Sequence, residues 1–259
     1  MRYLIRKLTD GVTRRIVKKR LSPILTKYKL EMKSDNPFFG FSMKVGQDLT
    51  ANPNEFFSHY DGFSFWTYSK IRDMHLQNCK ILDIGSTKVL NAIMSYDHEV
   101  TALVLANPHD LLSKVQYLEF DAGGGIPFPD DNFQIVTSTV SLHLIGLGRY
   151  SDRIDPQAIP FLIQELDRVT GSNSNLFVSI PIGRNELIFN GGYSFEFPTF
   201  TDLFPNWELV DFLVDNWSTP RFDYSSTRFT TSIDTKNFES GQYETVFFHF
   251  QKKEDEPIS

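Results

Sequence analysis

The chain has 259 residues, 41% of them hydrophobic, and a formal net charge of −6, enough for one large domain with its own core. No apolar run approaches the ~20 residues needed to cross a bilayer, and the N-terminus lacks the apolar core and small-residue cleavage site of a secretory signal. A single cysteine, Cys79, excludes an internal disulfide, so the expectation is a cytoplasmic protein. The charge is uneven: residues 1–33 carry +9 and the remainder −15, an acidic body that argues against a nucleic-acid partner.

Residues 1–33 form a basic arm. Leu4, Leu8, Val12 and Ile16 recur every four residues, with Arg14, Arg15, Lys18, Lys19 and Arg20 crowding the other faces, the pattern of an amphipathic helix. Pro23 is expected to end or kink it. Such a helix suits either the anionic inner face of a membrane, as a peripheral contact, or packing on its own domain or a second subunit. Residues 34–78 are aromatic and turn-rich and read as a cap segment, with a helix containing Tyr68, Ile71, Met74 and Leu76.

From residue 79 to 253 strands alternate with helices. "KILDIG", "EVTALVLA", "VQYLEF", "FQIVTSTV" and "NLFVSIP" read as strands, and "KVLNAIMSY" and "PQAIPFLIQELDRVT" as helices, the latter despite Pro160. "WELVDFLV" and "ETVFFHFQK" are two late strands suited to an antiparallel pair. The class is therefore α/β: a mostly parallel seven-stranded sheet with helices on both faces. Residues 254–259 are expected to fray.

Ligands of an open α/β sheet bind beyond the carboxyl ends of the strands, near the reversal of strand order. That rule selects Asp83–Lys88, Leu105–His109, Asp121–Gly125, Ser138–Asp155 and Pro181–Tyr193. The loop "HLIGLGRYSDRIDP" lies on this rim. It lacks the dinucleotide and Walker fingerprints. Gly146 and Gly148 suit a tight loop presenting Arg149, Tyr150 and Asp152.

"ILDIGS", "YLEFDAGGGIPFPDDNFQIV" and "IQELDRVTGSNSNLFVSIP" together resemble the class I S-adenosylmethionine-dependent methyltransferases over roughly residues 80–182. The resemblance implies a Rossmann-like methyltransferase fold. More narrowly, "GLGRYSD" resembles the Gly-Leu-Gly-Arg-Tyr-Gly-Asp signature of the domain-of-unknown-function 268 family, and "IPIGRNELIFN" its later Phe-Asn segment. That family implies a bacterial surface-polysaccharide setting and a glycan or other small-molecule acceptor, methylated on a hydroxyl. The implied cofactor is S-adenosylmethionine.

On this reading Asp83 engages the methionine ammonium, Gly85 lets the backbone approach, and Asp121 accepts from the adenine amino group. Ser86, Asn107 and Ser138 complete the cofactor candidates. Two departures stand out: no further glycines follow Gly85 and Ser86, and the second strand leads to Asn107 rather than an acid. The alternatives are a strand-end role for Asp83 and an Asx-turn for Asp121. His143, Arg149 and Asp152 are the catalytic candidates, with Arg149 suited to a phosphate or carboxylate and Asp152 or His143 to proton removal. They equally suit bracing the loop. Tyr150, Asn185, Asn190 and Tyr193 are the acceptor-binding candidates, with "GRNELIFNGGYSFEFPTF" expected to close over the acceptor. No histidine spacing supports a metal site. A non-catalytic sugar-binding or assembly factor, or a transferase using a nucleotide-linked donor, remains the alternative.

Overall fold

The computed structural model describes residues 18–19, 21–45, 58–108, 114–215, 229–236 and 238–254. The expected stripe at Leu4, Leu8, Val12 and Ile16, the residue His109 and the end of the acidic tail lie outside the described residues. In chain order the elements are α1 (21–31), β1 (Ser42–Val45), α2 (His59–Asp73), β2 (Lys80–Ile84), α3 (Lys88–Met94), β3 (Glu99–Val104), β4 (Gln116–Glu119) and β5 (Phe133–Thr139). There follow α4 (Ala158–Val169), β6 (Thr170–Gly183), β7 (Glu186–Phe189), β8 (Gly192–Ser194), α5 (Phe197–Thr201), β9 (Trp207–Asp215), β10 (Phe229–Thr230) and β11 (Tyr243–Lys252).

The main sheet runs β4-β3-β2-β5-β6-β11-β9-β10. The seven expected strands are all present, and the two-residue β10 adds an edge to β9. From β4 to β6 the pairing is parallel. β11 then runs antiparallel between β6 and β9. Strand order reverses between β2 and β5, so the chain leaves these neighbours in opposite directions and opens a crevice at their carboxyl ends.

Side-chain alternation assigns each face its cover. Leu82, Val136, Val178, Val246 and Phe248 point to the larger core with α4, whose Ile159, Leu162, Ile163 and Leu166 repeat at helical spacing. Ile81, Ile135, Phe177 and Phe247 point the other way, against Phe63 and Ile71 of α2 and Leu90 and Met94 of α3. The second half of the aromatic 34–78 segment is thus one layer of the sandwich, with the Phe63 ring edge-on to Phe247 at 5.4 Å. Pro160 sits in the first turn of α4, where its missing N–H removes no helical bond.

Pro23 does not break the arm, because residues 21–31 are helical. Leu25, Tyr28 and Met32 bury one side of it, and that burial outweighs one lost backbone bond. The hydroxyls of Tyr28 and Tyr193 hydrogen-bond to each other inside the core. This half of the arm therefore packs on its own chain. Among the described residues no helix is long and apolar enough to cross a membrane.

The stretch after β6 departs from expectation. It is a hairpin, β7–β8, whose first strand pairs with β1 to form a separate three-stranded sheet. The chain reverses between Ile188 and Gly192: Gly191 N donates to the Ile188 carbonyl at 2.6 Å, and Asn190 is in the left-handed region at φ 65°, which asparagine tolerates. Phe38, Phe189, Tyr193 and Phe195 are buried around it. Burial of these aromatics makes the segment a fixed part of the core, so it does not close over the sheet edge.

Candidate site at the carboxyl ends of the strands

A cavity of about 700 Å³ opens where β2, β3, β4 and β5 end, within the size range of small-molecule sites. Ile84, Gly85, Ser86 and Thr87 line it after β2, Leu103, Leu105 and Ala106 at the end of β3, and Phe120, Asp121 and Ala122 after β4. Thr139, Val140, Ser141, Leu144 and Ile145 follow β5. Tyr150, Ser151 and Asp152 enter from the next loop, and Tyr60 from α2.

Gly85 is built into this wall. Its φ is 75°, and a Cβ there would lie 2.5 Å from Ser141 Oγ. Ser141 Oγ donates to the Gly85 carbonyl at 2.7 Å, tying the loop after β2 to the loop after β5. Asp83 lies beneath. It is fully buried and accepts from Ser86 N at 3.0 Å, Asn91 Nδ2 at 2.9 Å and Thr137 Oγ1 at 2.7 Å. Burial pushes its carboxyl above the usual range against the pull of those hydrogen bonds. Asp83 therefore shapes the Gly85–Ser86 turn from behind and does not line the cavity. Thr139 is different: the residue lines the cavity, and its buried hydroxyl has no hydrogen-bond partner among the described residues.

The loop 146–155 is braced from inside. Asp152 Oδ2 accepts from Gly146 N and Gly148 N, and Oδ1 accepts from Tyr150 N at 3.0 Å. Gly146, Gly148 and Ser151 all have positive φ, at 81°, 70° and 69°. Both glycines sit too close to neighbours for a side chain, Gly146 against the Asp155 carbonyl and Ala158, Gly148 against Ile154. The third glycine of the Gly-Leu-Gly-Arg-Tyr-Gly-Asp pattern would fall at Ser151, also left-handed here. Asp121 is braced in the same manner, accepting from Gly123 N at 2.9 Å and Arg153 N at 3.2 Å. Its wall position nevertheless exposes it to the cavity.

No protein-family model matches the chain, and no curated protein does. Solved structures do. The 1,6-didemethyltoxoflavin-N1-methyltransferase of Burkholderia thailandensis, with bound S-adenosylhomocysteine, superposes with a TM-score of 0.54 at 12% identity, covering 78% of this chain and 80% of that one. The [4+2]-cyclase SpnF superposes with a TM-score of 0.51 at 12% identity, covering 91% and 93%. An S-adenosylmethionine-dependent methyltransferase of Methanosarcina mazei covers 73% of this chain and 99% of its own at 16% identity, with a TM-score of 0.49. The fold is class I methyltransferase-like.

In this methyltransferase-like fold the structure gathers Gly85, Ser86, Asp121, Tyr150 and Asp152 around one cavity. It separates the rest. Ser138 is buried, and its hydroxyl donates to the Ile84 carbonyl at 2.9 Å. Asn107 stands outside the cavity, its backbone N–H facing Glu119 Oε2 at 3.4 Å. Asn185 bonds Thr199 Oγ1 and Glu196 N, Asn190 makes the hairpin turn, and Tyr193 is in the core with Tyr28. None of these three is in the cavity wall. His143 is buried under that turn, so close to Gly192 that no side chain fits there. Burial, with Arg149 and His59 nearby, pulls its pKa down to about 3, leaving it neutral and a weak base. Sequence reasoning missed Tyr60 and Phe120. The strand-end rule marked the stretch that holds Thr139 and Ser141 without singling either out, and nothing in the sequence brings Tyr60 of α2 to the rim.

Proposed function

We propose that the protein is an S-adenosylmethionine-dependent methyltransferase acting on a small-molecule acceptor. The observation that carries this reading is the cavity at the β2–β5 ends, walled by Gly85 and by Thr139, whose buried hydroxyl has no partner among the described residues. Leu103, Leu105, Phe120 and Ile145 offer an apolar slot for an adenine ring, and Asp121 an acceptor for its amino group. Gly85 and Ser86 present backbone to the amino-acid end. When bound, the cofactor would supply an electrophilic methyl group on a sulfonium. The chain's own contribution is alignment and exclusion of water. Tyr60 and Tyr150 would position the acceptor, while Asp152, fully used in bracing its loop, and His143, buried, are poorly placed to remove a proton.

The missing carboxylate after β3 fits a cofactor bound roughly 10- to 100-fold more weakly than with a charged ribose clasp. Calorimetry with S-adenosylhomocysteine tests the reading: a single site that is weakened by Thr139→Val supports it, and no binding at millimolar ligand overturns it.

A second reading, a non-catalytic or differently reacting member of the fold, is favoured by the occupied Asp152 and the buried His143. SpnF bears the name of a cyclase, and fold alone does not select a reaction. Detectable methyl transfer to any acceptor would eliminate the non-catalytic form. The glycan hydroxyl and polysaccharide setting rest on the resemblance alone, since Asn185, Asn190 and Tyr193 are engaged elsewhere. Peripheral membrane contact rests on the charge pattern of the arm, and flotation with anionic vesicles tests it against a chain beginning at Ser34.

A further inference from the structure

Arg149 is not in the cavity wall, but it adjoins Tyr150, which is, in a setting that loop bracing does not explain. Its Nη1 donates to the Asn190 carbonyl at 2.6 Å, and its guanidinium carbon lies 5.5 Å from the Tyr150 ring centre. A guanidinium has five N–H donors, so most of its edge stays available. No carboxylate among the described residues pairs with it, whereas Arg153 and Arg168 both have acidic partners. Arg72 and Arg184 also have no ion pair among the described residues, but they are exposed, while Arg149 is half-buried. A cation that gives up water without gaining a counter-charge is poised for an anion.

The surroundings fit such a ligand. Tyr60 and Tyr150 line the cavity yet remain 41% and 59% exposed, and Tyr243 is 40% exposed. Burial holds the Tyr60 and Tyr243 phenols above their usual range despite Arg149, so both keep their protons and can donate. Tyr60 and Tyr150 thus hold partly exposed rings against the cavity, a surface on which a flat ligand can stack. His143, packed beneath, has a buried Nδ1 with no partner.

Resting on the reading that the inner cavity holds S-adenosylmethionine, we propose that its mouth is an acceptor subsite for a flat ring bearing a carboxylate or phosphate. The free edge of Arg149 takes the oxyanion, and Tyr60 and Tyr150 cover the ring.

Calorimetry on the full chain, saturated with S-adenosylhomocysteine, tests this with benzoate, phenyl phosphate and benzyl alcohol as probes. At least one anion is expected to bind tenfold or more tighter than benzyl alcohol, and the preferred one identifies the oxyanion. Arg149→Gln is expected to erase that preference, a loss of roughly 10- to 100-fold, with S-adenosylhomocysteine affinity retained. The subsite is refuted if neither anion outbinds benzyl alcohol, or if Arg149→Gln binds both anions like the parent. Should Arg149→Gln fail to fold, Tyr150→Ala must weaken the preferred anion by roughly threefold, and an unchanged affinity refutes the proposal. If S-adenosylhomocysteine does not bind, the cofactor reading falls. The same titrations on the free protein still decide the anion site.

Discussion

The carboxylate of Asp152 reaches back across its loop to the backbone nitrogen of Gly146 at 3.1 Å. With Gly148 and Tyr150 it completes a ring of three backbone donors on one side chain. Arg149 reaches the hairpin from a loop that is held from within, with two glycines and an aspartate bracing the backbone around one arginine.

Removing the acceptor strands three N–H groups. Asp152→Ala is expected to lower stability by about 1–3 kcal/mol, the range for losing hydrogen bonds to a charged group. Asp152→Asn, which keeps an oxygen, should lose less. Urea unfolding of the two variants checks the order.

The same loop contains one residue in an unfavourable conformation. Ser151 at φ 69° bears the left-handed penalty of roughly 1–2 kcal/mol, partly offset by the greater unfolded-state freedom of glycine. Ser151→Gly is expected to stabilise by about 0.5 kcal/mol, whereas Gly146→Ala, pressed against the Asp155 carbonyl, should destabilise by at least about 2 kcal/mol. Thermal denaturation reads both.

Gly85→Ala tests the cofactor wall. Its Cβ would lie 2.5 Å from Ser141 Oγ and 2.8 Å from Ser141 Cβ, so the two loops must part. The expected result is an S-adenosylhomocysteine dissociation constant raised by roughly tenfold or more, measured by calorimetry on folded protein.

His143 makes stability depend on pH. Burial, then Arg149 and His59, lowers its pKa from 6.5 to about 3. Below pH 6.5 the unfolded chain takes a proton that the folded chain refuses, so stability is whole above 6.5 and declines as pH falls toward 3. His249, lowered to about 4 by burial and Lys70 against the opposing pull of Asp211, adds a slope of the same sign. His143→Gln should flatten the dependence between pH 6.5 and 4 in denaturant titrations.

The buried Tyr28–Tyr193 hydrogen bond joins the arm to the hairpin. Tyr28→Phe leaves the Tyr193 hydroxyl alone in the core and should cost about 1–3 kcal/mol, while Tyr28→Phe with Tyr193→Phe should come close to the parent, since both polar groups then disappear. A double-mutant cycle measures the coupling.

The sheet was legible because its strands carry their own signals. "KILDIG" and "FQIVTSTV" are short apolar runs between turn residues, and α4 repeats Ile159, Leu162, Ile163 and Leu166 at helical spacing. The rim followed from topology, so Gly85, Asp121 and Asp152 were reachable in advance. The hairpin was missed although Asn190-Gly191 announces its turn, because the polar side chains around it read as ligand donors. Asn185, Asn190 and Tyr193 were assigned to an acceptor for that reason.

By itself, the sequence determined the α/β class, the strand order's functional edge and the residues available there, since local periodicity and turn chemistry act between near neighbours. Only the tertiary structure decided which polar groups were already satisfied. Asp83 and His143 became internal because elements far apart in the chain cover them, and Arg149 was left half-buried with no carboxylate partner among the described residues. Burial and hydrogen-bond partnership are properties of the packed molecule, set by contacts that no stretch of chain contains.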